Sequence, residues 1–261
     1  MRFGKKLIVF YEFMFALGLI CISAGLSFMV RSNLGISVAS SMPYVISHRF
    51  GAITFGTWSY IVQGFLVLLL IIIVRKIKIS YVLSFLVSVV FGYLLDFFTG
   101  ATAALPVDHI WLRFVYYAVG LFVLSFGIAS VVFSQWPPIP FDLFVKELAL
   151  HKNLSFKKTK TGFDLSCLAF SSVFLIIFIR QITGIGPGTI ISALFNGTLV
   201  SLWLKLFSGV FLPRYLLRKS WTWKVKTENK DKHPETPDVP AQLSLRQAEA
   251  IAKSNHTHLN Q

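Results

Sequence analysis

The residues best suited to chemistry gather around one interrupted stretch, FSQWPPIPFDLF, between Phe133 and Phe144. It follows about twenty apolar residues, and its prolines Pro137, Pro138 and Pro140 each lack a backbone donor and set their own φ, so no continuous helix crosses them. A half-helix opening here places Asp142 close to free backbone N–H groups at membrane depth. Two uses of that acid stand side by side: binding a proton or a cationic group, and serving as a solvated or capping carboxylate near a membrane edge. Gln135, Trp136 and Asp142 from this stretch are candidate solute-binding residues, together with Ser37 from an earlier break. Asn196 joins them, because an amide within an apolar span needs a partner and is expected to face the bundle interior, as helix glue or as a lining residue.

Other chemistry has no matching constellation. His48, His109 and His151 stand singly near span boundaries, His233, His256 and His258 fall in the tail, and none has a ligand partner at helical spacing, so neither a metal nor a cofactor is expected. Cys21 and Cys167 lie inside apolar segments and read as small buried groups. The run Gly184-Ile185-Gly186-Pro187-Gly188-Thr189 lacks the Lys-Ser/Thr pair of a phosphate loop and follows an apolar span, so it reads as a tight turn with Thr189 as the helix cap. No acid and base are matched for catalysis, and the chain is not expected to be an enzyme.

The elements that position these residues are membrane spans. With 55% hydrophobic residues in a chain of 261, the apolar runs exceed what a soluble core uses. Six spans are expected: Leu7–Val30, Phe55–Val74, Ser80–Phe98, Ile110–Ser134, Gly162–Ile182 and Thr189–Leu212. The formal net charge of +14 sits at the span ends and in the tail. That distribution argues against nucleic acid and predicts a multi-pass protein of the plasma membrane with both termini cytoplasmic. Thr57 is the expected cap of the second span. Asp96, near the outer end of the third, reads as an interfacial acid more readily than as a pathway residue.

Between spans, the stretch from Ser32 to Thr54 is too apolar for a loop and predicts an interfacial or re-entrant helix, and Phe141 to Leu150 offers the same pair of readings. The order of elements repeats. Leu34–Ala39 lines up with Pro137–Asp142, and Ser80–Phe98 with Thr189–Phe207. Gly18 and Gly25 in the first span match Gly120 and Gly127 in the fourth, a spacing suited to close helix packing. Three spans per half place the second half upside down, so the expectation is an all-α transmembrane bundle over 1–214 with inverted 3+3 halves 7–98 and 110–212. In that architecture the two interrupted ends are expected to converge on one cavity. The tail, 215–261, is basic and mostly disordered by composition; its cations and Trp221 and Trp223 suit an anionic inner leaflet.

Three motifs carry a family resemblance: GLSFMVRSNLGIS from Gly25 to Ser37, PIPFD from Pro138 to Asp142, and GIGPGTIISALFNGTLV from Gly184 to Val200. On these the chain resembles the YczE/YyaS/YitT group of bacterial integral membrane proteins, from about Lys5 to Leu212. The resemblance implies a bacterial plasma-membrane protein and brings no settled activity. Where relatives place Pro, an aromatic and Asp after Gly35-Ile36-Ser37, this chain has Val38, Ala39 and Ser40, which leaves Asp142 as the one acid of that pair. The functional expectation is a permease for a small solute. The alternative is a non-transporting membrane scaffold that supports another system through its basic tail.

Overall fold

A computed structural model describes residues 2–134, 136–154, 156–179 and 184–215; Gln135, Arg180 and the tail from 216 lie outside the described residues. The helices are α1 (Arg2–Ser32), α2 (Val38–Arg49), α3 (Phe55–Val74), α4 (Ile79–Thr102), α5 (Ile110–Ser134), α6 (Pro140–His151), α7 (Phe156–Phe174) and α8 (Pro187–Tyr215), with a π-helical turn over Leu175–Ile179 continuing α7. Six of them are long and apolar enough to cross a membrane. The protein is therefore an all-α, multi-pass membrane chain. It divides into two compact units, Met1–Trp203, to which everything below refers, and the part from Leu204, of which the end of α8 is described.

Local chemistry sets the helix ends. Thr54, not Thr57, caps α3: its hydroxyl accepts from the Thr57 N–H at 3.2 Å. The expected cap at Thr57 is thus moved one turn earlier, because the residue whose backbone is extended (φ −67°, ψ 162°) is the one free to turn its oxygen back onto the helix. Asp96 reinforces the same end, accepting from the Gly56 N–H at 2.7 Å and the Thr54 hydroxyl at 2.6 Å. This carboxylate is used to tie α4 to the start of α3. At the other end of α3, Arg75 takes the left-handed conformation and closes the helix.

The seam that organises the unit is α1 against α5. Gly18 lies against Gly127, and Gly25 against Gly120, so the two helices run antiparallel. A Cβ on Gly25 would stand 2.5 Å from the Leu124 nitrogen and 2.7 Å from the Gly120 oxygen; glycine is what lets the two main chains come this close. Leu19, Ile22, Leu26, Met29, Leu121 and Leu124 fill the seam to either side, all at most 7% exposed. Around it, α4 packs on α1 and α3, α2 packs on α3 and α7, and α6 packs on α3, α7 and α4. Each short helix therefore touches a span from the other half of the chain. Large apolar side chains such as Phe65, Leu68, Ile72, Phe97 and Leu165 point outward, as lipid-facing positions require.

Candidate functional site

Both interruptions are built the same way. α2 and α6 each have 12 residues and begin 102 residues apart, at Val38 and Pro140. The serine that ends the preceding span does the same work in both. Ser32 donates to the Met29 carbonyl (2.6 Å) and accepts from the Leu34 N–H (3.2 Å). Ser134 donates to the Val131 carbonyl (2.7 Å) and accepts from the Trp136 N–H (3.4 Å). Within each break one exposed main-chain carbonyl is then approached by a serine from the far half. Ser84 of α4 donates to the Pro138 carbonyl, and Ser192 of α8 stands 3.4 Å from the Ile36 carbonyl, although its hydroxyl makes its shorter bond, 2.9 Å, to the Thr189 carbonyl of its own helix. These contacts set Ser84 against Ser192 and Ile36 against Pro138, and the offset between the starts of α2 and α6 sets Ser40 against Asp142. Each pairing differs by one residue from the alignment drawn on sequence, since apolar segments give little to fix a register.

The first break is further clamped to the start of α8. Leu34 accepts from the Gly188 N–H at 2.9 Å, and the Ile36 N–H donates to the Gly184 carbonyl at 3.2 Å. Gly35, at φ 130°, fits there because a side chain would meet the nitrogen and hydroxyl of Thr189 at 2.6 Å. Tyr117 of α5 donates to the Gly188 carbonyl. Thr189 is fully buried at the helix entry, donating to the Gly184 carbonyl at 3.4 Å. Nearby, Tyr44 of α2 lies where a Gly184 side chain would be.

The two breaks do not meet. Tyr11 of α1 packs on Phe133 at 5.7 Å between ring centres, next to the end of α5, whereas α1 itself ends at Ser32. Twenty-one residues at 1.5 Å each put those helix ends about 31 Å apart along the seam. The break segments are anchored somewhat closer: Trp136 stacks on Phe15 at 5.4 Å, while Tyr117, which holds the first break, neighbours the Tyr116–Phe28 contact at 6.3 Å. Phe15 and Phe28 are 13 residues apart, about 20 Å. Between them runs the apolar α1/α5 seam. The expected convergence on one cavity is corrected accordingly: in an inverted arrangement, equivalent breaks fall at opposite ends of an antiparallel pair.

The predicted site residues are correspondingly dispersed. Ser37 is half-buried at the start of α2 and makes no side-chain cap. Trp136 is 40% exposed and stacks on Phe15. Gln135 lies outside the described residues. Asn196, in α8, is half-buried with its carbonyl oxygen enclosed and unpartnered. Asp142 sits in the first turn of α6, but its carboxylate is engaged by Lys160 of α7 at 3.1 Å, and Lys160 also stands 3.6 Å from Asp164. No hydrogen bond or ion pair joins Ser37, Trp136, Asp142 and Asn196 to one another among the described residues.

Three groupings went unread in the sequence. Glu147 of α6 accepts from Lys78 at 2.6 Å and from the Tyr81 hydroxyl at 3.0 Å. Lys160 and Asp164 are spaced i,i+4 in an apolar run, a readable signal for a local ion pair. The third is Gln63, fully buried in α3, with neither amide atom partnered. A lone amide in FGTWSYIVQGFLVLLLIIIV was its signal.

These observations define a polytopic helical membrane protein with two interrupted spans at opposite ends of a glycine seam. Residues 9–205 match the family of unknown function DUF6198, and the chain belongs to that family. It is also similar to the uncharacterized protein YyaS of Bacillus subtilis (strain 168), 21% identical over 204 residues that cover 77% of this chain and 95% of that one. No solved structure matches the chain.

Proposed function

We propose that the chain is a permease for a small solute, set in a bacterial plasma membrane with both termini cytoplasmic and made of two inverted halves, 7–98 and 110–212. The observation that carries this reading is the matched placement of two serines, Ser84 donating to the Pro138 carbonyl and Ser192 standing 3.4 Å from the Ile36 carbonyl while its shorter bond, 2.9 Å, stays within its own helix. A bundle that only anchored a tail would gain nothing from breaking a span in each half and then setting a serine of the opposite half at the exposed carbonyl. Inverted repeats with interrupted helices in matching positions are a transporter architecture. Under this reading each break governs access from one face, and the basic segment after the last span meets the anionic inner leaflet.

The test is flux. The purified full chain is placed in liposomes and the entry of small solutes of differing charge is followed by light scattering and by radiolabel exchange. Faster entry of at least one solute than in protein-free vesicles is expected, and lost when both Ser84 and Ser192 are replaced by alanine. Identical rates with and without protein across the set would refute the permease. A scaffold reading is favoured by one observation, the tight apolar α1/α5 seam between the breaks. Removing residues 220–261 separates the two, since a permease core keeps its flux without the tail whereas a docking protein loses its cellular phenotype.

A further inference from the structure

We infer that the C-terminal ends of α3 and α6 form a binding surface for the headgroups of anionic phospholipid, separate from the basic tail. Packing and one ion pair bring the two ends together. Val74, the last residue of α3, and Leu148 of α6 join the cluster built on Leu70, Tyr81, Leu143 and Phe144. Beside it, Lys78 of the α3–α4 connection reaches Glu147 at 2.6 Å, and the Tyr81 hydroxyl donates to the same carboxylate at 3.0 Å. With consecutive Cα atoms about 3.8 Å apart, Lys76 lies within about 8 Å of Lys78 and Arg75 within about 11 Å. On α6, Lys146 adjoins Glu147 and Lys152 stands at the cap. Asn153 then turns at φ 50°, and the Leu154 N–H donates back to the Ala149 carbonyl at 2.9 Å.

This surface is short of counter-charge. Arg75, Lys76, Lys146 and Lys152 are exposed, and none forms an ion pair among the described residues. Over 75–79 and 146–154 the chain sets Arg75, Lys76, Lys78, Lys146 and Lys152 against Glu147 alone, a net charge of +4 with His151 neutral. Glu147 is already taken by Lys78, and the next acids, Asp142 and Asp164, stand against Lys160. At the opposite end of the bundle, Arg31 donates to the Leu105 carbonyl at 2.9 Å and Arg113 to the Val107 carbonyl at 3.3 Å. Those guanidinium groups fasten the α4–α5 connection, whereas the four cations here are left for a partner.

The apolar residues on the same surface select a bilayer over a soluble polyanion. Ile77 and Ile79 are 77% and 69% exposed, and Leu150 and Leu154 are 54% and 53% exposed. They are interleaved with the cations: Ile77 falls between Lys76 and Lys78, Leu150 one turn from Lys146, and Leu154 two residues past Lys152. Such a mixture suits the headgroup boundary, where the charges meet phosphate and the hydrocarbon enters the acyl edge. A small free anion would gain nothing from four apolar side chains. Both helices also point their carbonyl ends at this surface, so the positive charge comes from side chains and no main-chain cradle for a phosphate is offered. A lipid bound here holds the far end of the helix that opens the second break. Its assignment to the inner leaflet rests on the topology proposed above, whereas the binding itself does not.

The test titrates the full chain in detergent with phosphatidylglycerol, with phosphatidylcholine and with inorganic phosphate, and follows the thermal midpoint and hydrogen exchange. A saturable rise with phosphatidylglycerol alone is expected, together with slowed exchange over 75–79 and 146–154. Lys76→Gln combined with Lys146→Gln should raise the half-saturating phosphatidylglycerol concentration by about twenty- to thirtyfold, or about fivefold for each cation removed from an anionic surface. Arg75→Gln with Lys152→Gln is the second pair; all four side chains are exposed and unpaired, so neither variant should unfold the chain. Equal responses to the two phospholipids, or an equal response to inorganic phosphate, would overturn the surface. So would a response that survives in both variants and disappears with Lys224→Gln and Lys226→Gln, which would assign the lipid to the tail. A lipid response in a chain that shows no liposome flux would retain the surface and count against the permease, and flux without a lipid response would do the reverse.

Discussion

Replacing Gly25 by alanine tests the α1/α5 seam directly. The added methyl would stand 2.5 Å from the Leu124 nitrogen, 2.7 Å from the Gly120 oxygen and 2.8 Å from the Leu124 Cα. All three neighbours are main chain, so no side-chain rotation relieves the overlap and one helix has to move. Reaching an ordinary separation of 3.4 Å from the nearest atom requires about 0.9 Å. A gap of that size along the remainder of the seam forfeits roughly a quarter to a half of the dispersion energy of each atom pair it opens. Leu19, Ile22, Leu26 and Leu124 lie along that line, each at most 5% exposed. Overpacking of this kind costs about 1–3 kcal/mol. At about 2–4 °C per kcal/mol for a chain of this size, the thermal midpoint in detergent should fall by several degrees.

Gly162 supplies the control. It is helical in α7 with nothing within 4 Å of the position a Cβ would take, so Gly162→Ala should leave the midpoint unchanged or raise it, by the gain of up to about 1 kcal/mol that alanine has over glycine in a helix. Both variants are followed by thermal unfolding with size-exclusion readout. Should Gly25→Ala prove as stable as Gly162→Ala, the main chains are not in contact at that point and the register of the seam is wrong. That outcome would also remove the argument for the opposite placement of the two breaks, because the 31 Å separation is measured along this seam.

Three further substitutions probe the breaks and the ion cluster. Ser84→Ala removes the donor to the Pro138 carbonyl and should cost about 1 kcal/mol in thermal unfolding, whereas Ser192→Ala removes chiefly a bond within its own helix and should cost less; an equal or larger loss at Ser192 would mean that its hydroxyl serves the Ile36 carbonyl instead. Asp142→Asn leaves Lys160 with Asp164, and since the side chains of Asp142 and Lys160 are 42% and 32% exposed, the stability change should stay under about 1 kcal/mol and shrink with added salt; a large, salt-independent loss would mean that the pair is desolvated.

Much of the fold was legible because lipid imposes a strong pattern. The spans Phe55–Val74 and Ile110–Ser134 are bounded in the structure as hydropathy and Pro137 predict, and the glycine matches at 18/120 and 25/127 proved to be opposite sides of one seam. The site was far less legible. Asp142 drew attention as an acid beside prolines, yet its role depends on Lys160, eighteen residues away on another helix, and no local signal reports that contact. Gln63 was passed over for the reverse reason. It breaks no helix and adjoins no charge, and its full burial without a partner, a state shared with Ser23 among others, is visible only in three dimensions. The starts of α2 and α6 lie 102 residues apart, one fewer than the offset between Leu34–Ala39 and Pro137–Asp142, because in apolar runs composition does little to fix an alignment.

The matched serines also bear on how a solute would move. If the halves rocked as rigid bodies about the α1/α5 seam, Ser84 and Ser192 would leave their carbonyls together, since each stands against the break of the other half. The seam opposes that motion, because its glycines hold main chain against main chain and cores of this density shift between discrete packings rather than bending smoothly. Release of one break at a time leaves the seam intact, at the Pro138 end by giving up the Ser84 bond and at the Ile36 end by also giving up the main-chain bonds of Leu34 and Ile36 to the start of α8. At the Pro138 end that release involves α6, whose acids hold Lys160 and Lys78, while at the Ile36 end it involves α2, which lacks acids and has Ser41 bonded to Ser171 of α7 at 2.9 Å. The two ends therefore differ in chemistry although they share a geometry: the α6 end is held by ion pairs that added salt should weaken, whereas the charged groups at the α2 end, Arg31 and Arg49, have no ion pair among the described residues.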